Sequence, residues 1–181
     1  MRRFLFALFF SAAVPALGTT VIAETIDEAV ARAPIVVRAT ARQSQSGTDE
    51  HRIWTWTELT VTEVLKGRAP KVVLVKQPGG VVGPVGQAVA GVARFVEGED
   101  CVLLLEPAVD EPGVLMVRAL AAGKISFTTR LGAPQAIRQL AGLEFAAVAG
   151  ERVRPLVKED TLGTPEAFLA RVRALVQGAR R

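Results

Sequence analysis

The 181 residues hold one cysteine and one histidine, the two side chains most used to hold transition metals. With Cys101 alone, no disulfide can form within the chain, so an apolar core must carry stability, and the length is sufficient for one. His51 has no second histidine to join it, no HExxH and no cysteine cluster, so no metal and no cofactor is expected. Ser44, Ser46 and Ser126 lack any GxSxG setting. Charge of one sign is also lacking. The net +4 falls to +2, with 20 basic against 18 acidic residues, once Arg2 and Arg3 are set aside. That balance argues against nucleic acid and anionic membrane as partners. No apolar run approaches the ~20 residues of a spanning helix, so no stable membrane anchor is expected.

The chain does have the grammar of an export leader. Arg2 and Arg3 form a basic start, Phe4 to Val14 is an almost unbroken apolar run, and Pro15 breaks it. Two small-residue sites follow, Val21-Ile22-Ala23 and Ala16-Leu17-Gly18. Residues 1–23 are expected to be a signal peptide cut after Ala23, with Gly18 as the alternative. The arginine pair lacks the rest of a twin-arginine pattern, and no cysteine lies near either site for a lipid anchor. The expected location is therefore periplasmic or secreted, with residues 24–181 as a single domain.

The stretch that organises the rest is Glu58 to Gly67, ELTVTEVLKG, followed by Val72 to Lys76, VVLVK. Leu59 and Val61 alternate with Thr60 and Thr62, the period of a half-buried strand. Upstream, Thr25 with Glu28 forms a capping box for a short helix that Pro34 ends. Ile35 to Arg42 alternates as a strand, Gln43 to Glu50 suits a hairpin loop, and His51 to Leu65 returns antiparallel. Pro78 to Gly98 is glycine-punctuated, with a strand expected at Val89 to Val96. Glu99 to Glu106 is apolar on both faces, which predicts a central strand covered on its outer side by a helix. Val114 to Phe127 supplies one more strand or a pair bent at Gly123, and Gln135 to Phe145 fits helix and strand equally. Thr164 and Pro165 start a final helix whose apolar stripe is Phe168, Leu169, Val172, Leu175 and Val176.

Arg52, Trp54 and Trp56 are the candidate ligand-binding residues. Two indoles at i and i+2 share one strand face and could stack on sugar rings, bases or a partner's side chains. Their parity is opposite to that of Leu59, so they point outward, or a bulge near Thr57 turns them into the core. The acidic pairs Glu97 with Glu99, Asp110 with Glu111, and Glu159 with Asp160 read as solvated loop charge. Gly80-Val81-Val82-Gly83 reads as structural glycine, since no Lys-Ser/Thr follows it.

The order IVVRATA, a polar hairpin, TVTEVLKG, VVLVK and a glycine-punctuated stretch ending in FVEGEDCVLLLE resembles the netrin-like fold, in a bacterial exported version. That fold is the OB-type barrel of the tissue inhibitors of metalloproteinases. The resemblance covers Glu24 to Phe127. It implies a mainly β chain: a five- to six-stranded OB-like Greek-key barrel with a short N-terminal helix and an amphipathic C-terminal helix. The animal inhibitors place a disulfide-tied N-terminal cysteine on the target zinc. Here the mature start would be Glu24 or Thr19, so those inhibitory residues have no counterpart. Fold alone does not give function; the absence of any recognisable catalytic motif favours an exported non-catalytic binding module that engages a protein, peptide or glycan. The alternative is a carboxylate-dependent envelope hydrolase.

Overall fold

The computed structural model describes residues 19–22, 24–49, 52–146 and 158–179. Most of the expected leader, His51 and the tip of the first long hairpin lie outside the described residues.

A short strand, β1 (Thr19–Ile22), precedes helix α1 (Ile26–Arg32). The capping box forms as the sequence requires, with Glu28 N–H donating to the Thr25 hydroxyl and Thr25 N–H donating to the Glu28 carboxylate at 2.8 Å. Two strands of fifteen residues follow, β2 (Ile35–Asp49) and β3 (Arg52–Lys66), paired antiparallel down to Asp49 opposite Arg52. The loop expected at Gln43 to Glu50 is therefore strand through Asp49. Its polar residues are held by cross-strand hydroxyl pairs, Ser44 with Thr57 and Ser46 with Thr55, each at 2.9 Å.

Then come β4 (Val72–Pro78) and a small hairpin of β5 (Gly80–Val82) and β6 (Val85–Gln87). The strand expected at Val89 to Val96 does not exist. That segment crosses the mouth of the barrel as irregular chain, burying Ala93 in the core while Ala121 N–H donates to the Gly91 carbonyl at 2.8 Å. The chain continues through β7 (Asp100–Pro107), β8 (Val114–Val117), a 3-10 turn at Leu120–Gly123 and β9 (Lys124–Arg130). The pair bent near Gly123 is thus present. The ambiguous Gln135 to Phe145 resolves as strand, in β10 (Ala133–Gln139) and β11 (Leu143–Ala146). Strand β12 (Glu159–Thr161) and helix α2 (Pro165–Gly178) complete the described chain.

The main sheet has eight strands in the order β12-β10-β9-β7-β2-β3-β4-β8, and β8 also pairs with β7. Strands β7, β2, β3, β4 and β8 thereby close a ring of five, antiparallel except for the parallel β4–β8 contact. The ring accounts for five of the five to six strands expected, and β9, β10 and β12 extend the sheet beyond it. In a separate pairing β1 runs parallel to β11. A leader cut after Ala23 would remove β1, whereas a cut after Gly18 would leave it as the first strand.

There are two cores, and β7 separates them. Cys101, Leu103 and Leu105 point into the ring with Val37, Ala39, Ala41, Leu59, Val73, Val75, Leu115 and Val117. Val102 and Leu104 point out, under α1 and α2, with Ile26, Val30, Phe168, Leu169, Val172 and Val176. The two-faced apolar strand is central for this reason. Arg171 to Asp27 at 2.8 Å ties α2 to α1, and Arg173 to Glu63 at 2.7 Å ties α2 to β3. Lys66 Nζ caps the exit of α1 by donating to the carbonyls of Val30 and Ala31. Cys101 is fully buried, and desolvation pushes its thiol up to about 12, which makes it inert at neutral pH. Glu24 is pinned by Arg118 at 2.6 Å and Arg32 at 3.0 Å, and the Arg118 hydrogen bond holds its carboxyl below the usual range.

Candidate functional site

Strands β3 and β4 carry the candidate residues, and their two faces differ in chemistry. From Ile53 to Val61 the odd-numbered side chains of β3 face the ring interior, with Ile53, Thr57 and Leu59 buried. The register shift in this part of the β2–β3 pair lies between Ala41 and Ser44, on β2. Strand β3 therefore keeps one parity across Thr57, and Trp54 and Trp56 point outward.

Outward does not mean bare. Both indoles are half-buried, because Lys76 reaches between them, 4.5 Å from the centre of the Trp54 ring and 5.6 Å from that of Trp56. Trp56 stands opposite Lys76 in the β3–β4 register, so the pairing itself delivers the ammonium group to the indoles. Trp56 Nε1 donates to Glu111 at 3.3 Å, and its ring edge lies against Gly47, where a Cβ would sit 3.2 Å from it. Lys76 is only 2% exposed, yet its Nζ meets Asp110 at 2.8 Å, Glu111 at 3.2 Å and Asp49 at 3.7 Å. The Asp110 hydrogen bond raises the Lys76 pKa and, reciprocally, lowers that of Asp110. Three carboxylates around one ammonium leave this rim negative. Val72 and Leu74, 49% and 37% exposed, continue the same face as an apolar strip. Arg52 is exposed at the start of β3 and takes no part in the cluster of Lys76.

The inner face loses its apolar character toward the hairpin end of the ring. Beyond Leu59, Val73 and Val75, the positions of the same parity are Thr57, Thr55 and Gln77, and with Ser44 they floor a cleft of about 660 Å3. Its walls are the β5–β6 hairpin, including Val81 and Gln87, and the crossing segment with Val89, Val92, Ala93, Arg94 and Phe95. Both walls are fixed. The Thr55 hydroxyl donates to the Gly79 carbonyl at 2.7 Å, and Ile53 N–H donates to Gln87 Oε1 at 2.8 Å. Gly80, at φ 141°, sits on the Ser46–Thr55 hydroxyl pair, where a Cβ would clash with both oxygens. This accounts structurally for that glycine. On the other side Lys124 Nζ donates to the Arg94 carbonyl, binds Glu99 at 2.7 Å and lies 5.0 Å from the Phe95 ring centre. Gln77 is 4% exposed, and its Nε2, sealed from solvent, has no hydrogen-bond partner among the described residues.

The sequence pattern singles out Trp54 and Trp56, leaves their direction open and hides what surrounds them. Asp110 and Glu111, read as solvated loop charge, converge on Lys76 with Asp49. The available signal was parity: Lys76 shares the face of Val72 and Leu74, opposite Val73 and Val75. The same count puts Gln77 on the ring-facing side, a polar residue on an apolar face. Among the described residues no group of three or more His, Cys, Asp or Glu side chains is disposed to hold a metal, and no helix is long and apolar enough to cross a membrane. No protein-family model and no curated protein sequence matches the chain.

Proposed function

We propose that this chain is an exported, non-catalytic binding module built on an OB-type barrel of the netrin-like kind, acting in the periplasm or outside the cell. Its ligand-binding face is the outer side of β3 and β4, with Trp54, Trp56 and Arg52, and it engages a protein, peptide or glycan. The five-stranded ring supports the barrel assignment, because its first three strands form a meander and a parallel contact between the third and fifth closes it. In OB-type barrels the second and third strands and the loops joining strands one to two and four to five form the ligand face. Here these are β3, β4, the Asp49 end of the hairpin and the loop with Asp110 and Glu111.

The observation that carries the reading is the pair of half-exposed indoles held apart from both cores by a buried lysine. An apolar strip with rigid aromatic rings is the ordinary material of a recognition surface. The negative rim repels phosphodiesters and selects uncharged or cationic partners. The exposed Val72 and Leu74 favour a protein or peptide with a basic flank. A hydrolase is the weaker reading. A general acid needs a carboxyl pKa raised toward neutrality, and Asp110 is shifted the other way by Lys76.

Trp54 and Trp56 are the chain's two tryptophans, so emission reports this face directly. Titration with neutral oligosaccharides and with basic and acidic peptides should give a saturable change with at least one neutral or basic probe. Trp54→Ala and Trp56→Ala should abolish it while leaving the protein folded. A flat response across the panel, or binding indifferent to both substitutions, overturns the proposal.

A further inference from the structure

We propose that cutting the leader after Ala23 turns β11 into a docking edge for the C-terminal tail of another protein: an extended peptide, parallel to β11, with a β-branched residue two positions before its free carboxylate. The proposal rests on the export reading and on nothing argued for the indoles.

The form of the guest is read from β1, which holds the place in the uncut chain. Thr19 to Ile22 runs parallel to Leu143 to Ala146 in one-to-one register, and among the described residues β11 pairs with no other strand. Val21 packs against the ring core that includes the fully buried Leu143, while Ile22, its neighbour, is 53% exposed. A cut after Ala23 falls one residue beyond Ile22 and takes all of β1 away. Left behind are a row of unpaired backbone groups, which is a template for a strand from elsewhere, and an apolar vacancy where Val21 sat. The edge itself stays in place. Leu143 N–H donates to the Leu140 carbonyl at 3.2 Å, and the segment crossing the ring lies so close that a Cβ on Gly142 would come within 2.9 Å of the Gly91 nitrogen.

The far end of the vacancy is a stop. Glu24, the new first residue, is fixed by three arginines. Its carboxylate accepts from Arg118 at 2.6 Å and from Arg32 at 3.0 Å, and its carbonyl accepts from Arg138 Nη1 at 3.2 Å. A guest running in the direction of β1 meets Glu24 there, so it must end where the leader ended. Its carboxylate then meets the α-ammonium that the cut creates, a charge-assisted pair that the uncut chain lacks. Main-chain pairing supplies affinity and the Val21 position supplies selectivity, the division of labour in strand addition.

The experiment uses the protein as exported and purified, and the probe is the pentapeptide TTVIA with a free carboxylate. N-terminal mass spectrometry should give Glu24 as the first residue. The peptide should raise the thermal midpoint and give saturable backbone amide shifts at Leu143 to Ala146, with tryptophan emission constant. All changes are made in the peptide, so the fold is never at risk. Asp in place of its Val should abolish binding, and Asp in place of its Ile, whose side chain faces solvent, should leave binding nearly unchanged. Amidating its carboxylate should weaken binding about tenfold. A first residue of Thr19 overturns the proposal and leaves export standing, because β1 then fills its own place. A leader fragment that stays bound to the purified protein does the same, since the slot is then taken. An intact Met1 on the exported protein sinks the export reading and the proposal with it. With Glu24 first and the slot empty, three results overturn the proposal alone: no shifts at β11 with TTVIA, equal binding of the two Asp peptides, or indifference to amidation.

Discussion

The two faces of the β3–β4 pair handle polar groups in opposite ways. Outside, the one buried charge has partners close by: Lys76 has two indole rings and three carboxylates, and its burial is tolerable because they surround it. Inside, nothing is charged on the floor, hydroxyls are matched in pairs, and one amide donor is left over. A satisfied cluster rigidifies a surface and presents its aromatic rings in fixed positions. One hairpin thus offers a charged surface on one side and a neutral cleft on the other.

The comparison predicts a wide spread of stability effects. Leu59→Ala on the inner face removes a fully buried side chain and should destabilise by about 2–5 kcal/mol, whereas Leu74→Ala on the outer face should stay within about 0.5 kcal/mol. Urea unfolding would measure both, and equal costs would erase the distinction between the faces. Lys76→Met comes next. It deletes a charge-assisted hydrogen bond and crowds Asp110 and Glu111 without a cation, for an expected loss of about 1.5–3 kcal/mol. Rehydration of the carboxylates keeps the loss from going higher. Thr57→Val leaves the Ser44 hydroxyl without its partner, and about 1 kcal/mol should go with it.

The smallest effect is that of pH. Asp110 has a folded pKa below its ordinary 3.8, so its contribution is complete above 3.8 and fades as pH falls through the depressed value. Lys76 is raised above its ordinary 10.5, so its contribution is complete below 10.5 and fades as pH climbs through the raised value. Tryptophan emission should therefore hold steady between these limits and shift outside them. Amide signals of the inner floor, where nothing titrates, should not follow it. Parallel movement of both faces under acid would mean that they are not independent.

Much of this was legible in the sequence where local chemistry decides structure. Thr25 and Glu28 announce the first helix, Thr164 and Pro165 the last, and the doubly apolar run from Cys101 to Leu105 announces the strand between two cores. The outward direction of Trp54 and Trp56 followed from parity with Leu59 once β3 was known to hold its register. What stayed hidden depends on distant partners. Gln43 to Asp49 is polar enough to read as loop, and is strand because Thr55 and Thr57 lie opposite to pair with its serines. Val89 to Val96 has strand composition, yet among the described residues it joins no sheet and instead buries Ala93 in the ring core. Asp110 and Glu111 look solvated until the fold brings Lys76 to them across some thirty-four residues of chain. Gln77 looks like any polar residue at a strand end, and only the folded chain shows that its donor is sealed in without a partner among the described residues.

The central claim is that two indoles are kept at the surface, fixed by Lys76, rather than packed into a core. Acrylamide quenching of tryptophan emission, on the parent and on Lys76→Met, tests this most directly. The parent should emit at wavelengths between those of buried and free indole and be quenched partially, and Lys76→Met should shift the emission further to the red with quenching clearly increased. Blue-shifted emission that acrylamide cannot reach, unchanged by the substitution, would contradict the account.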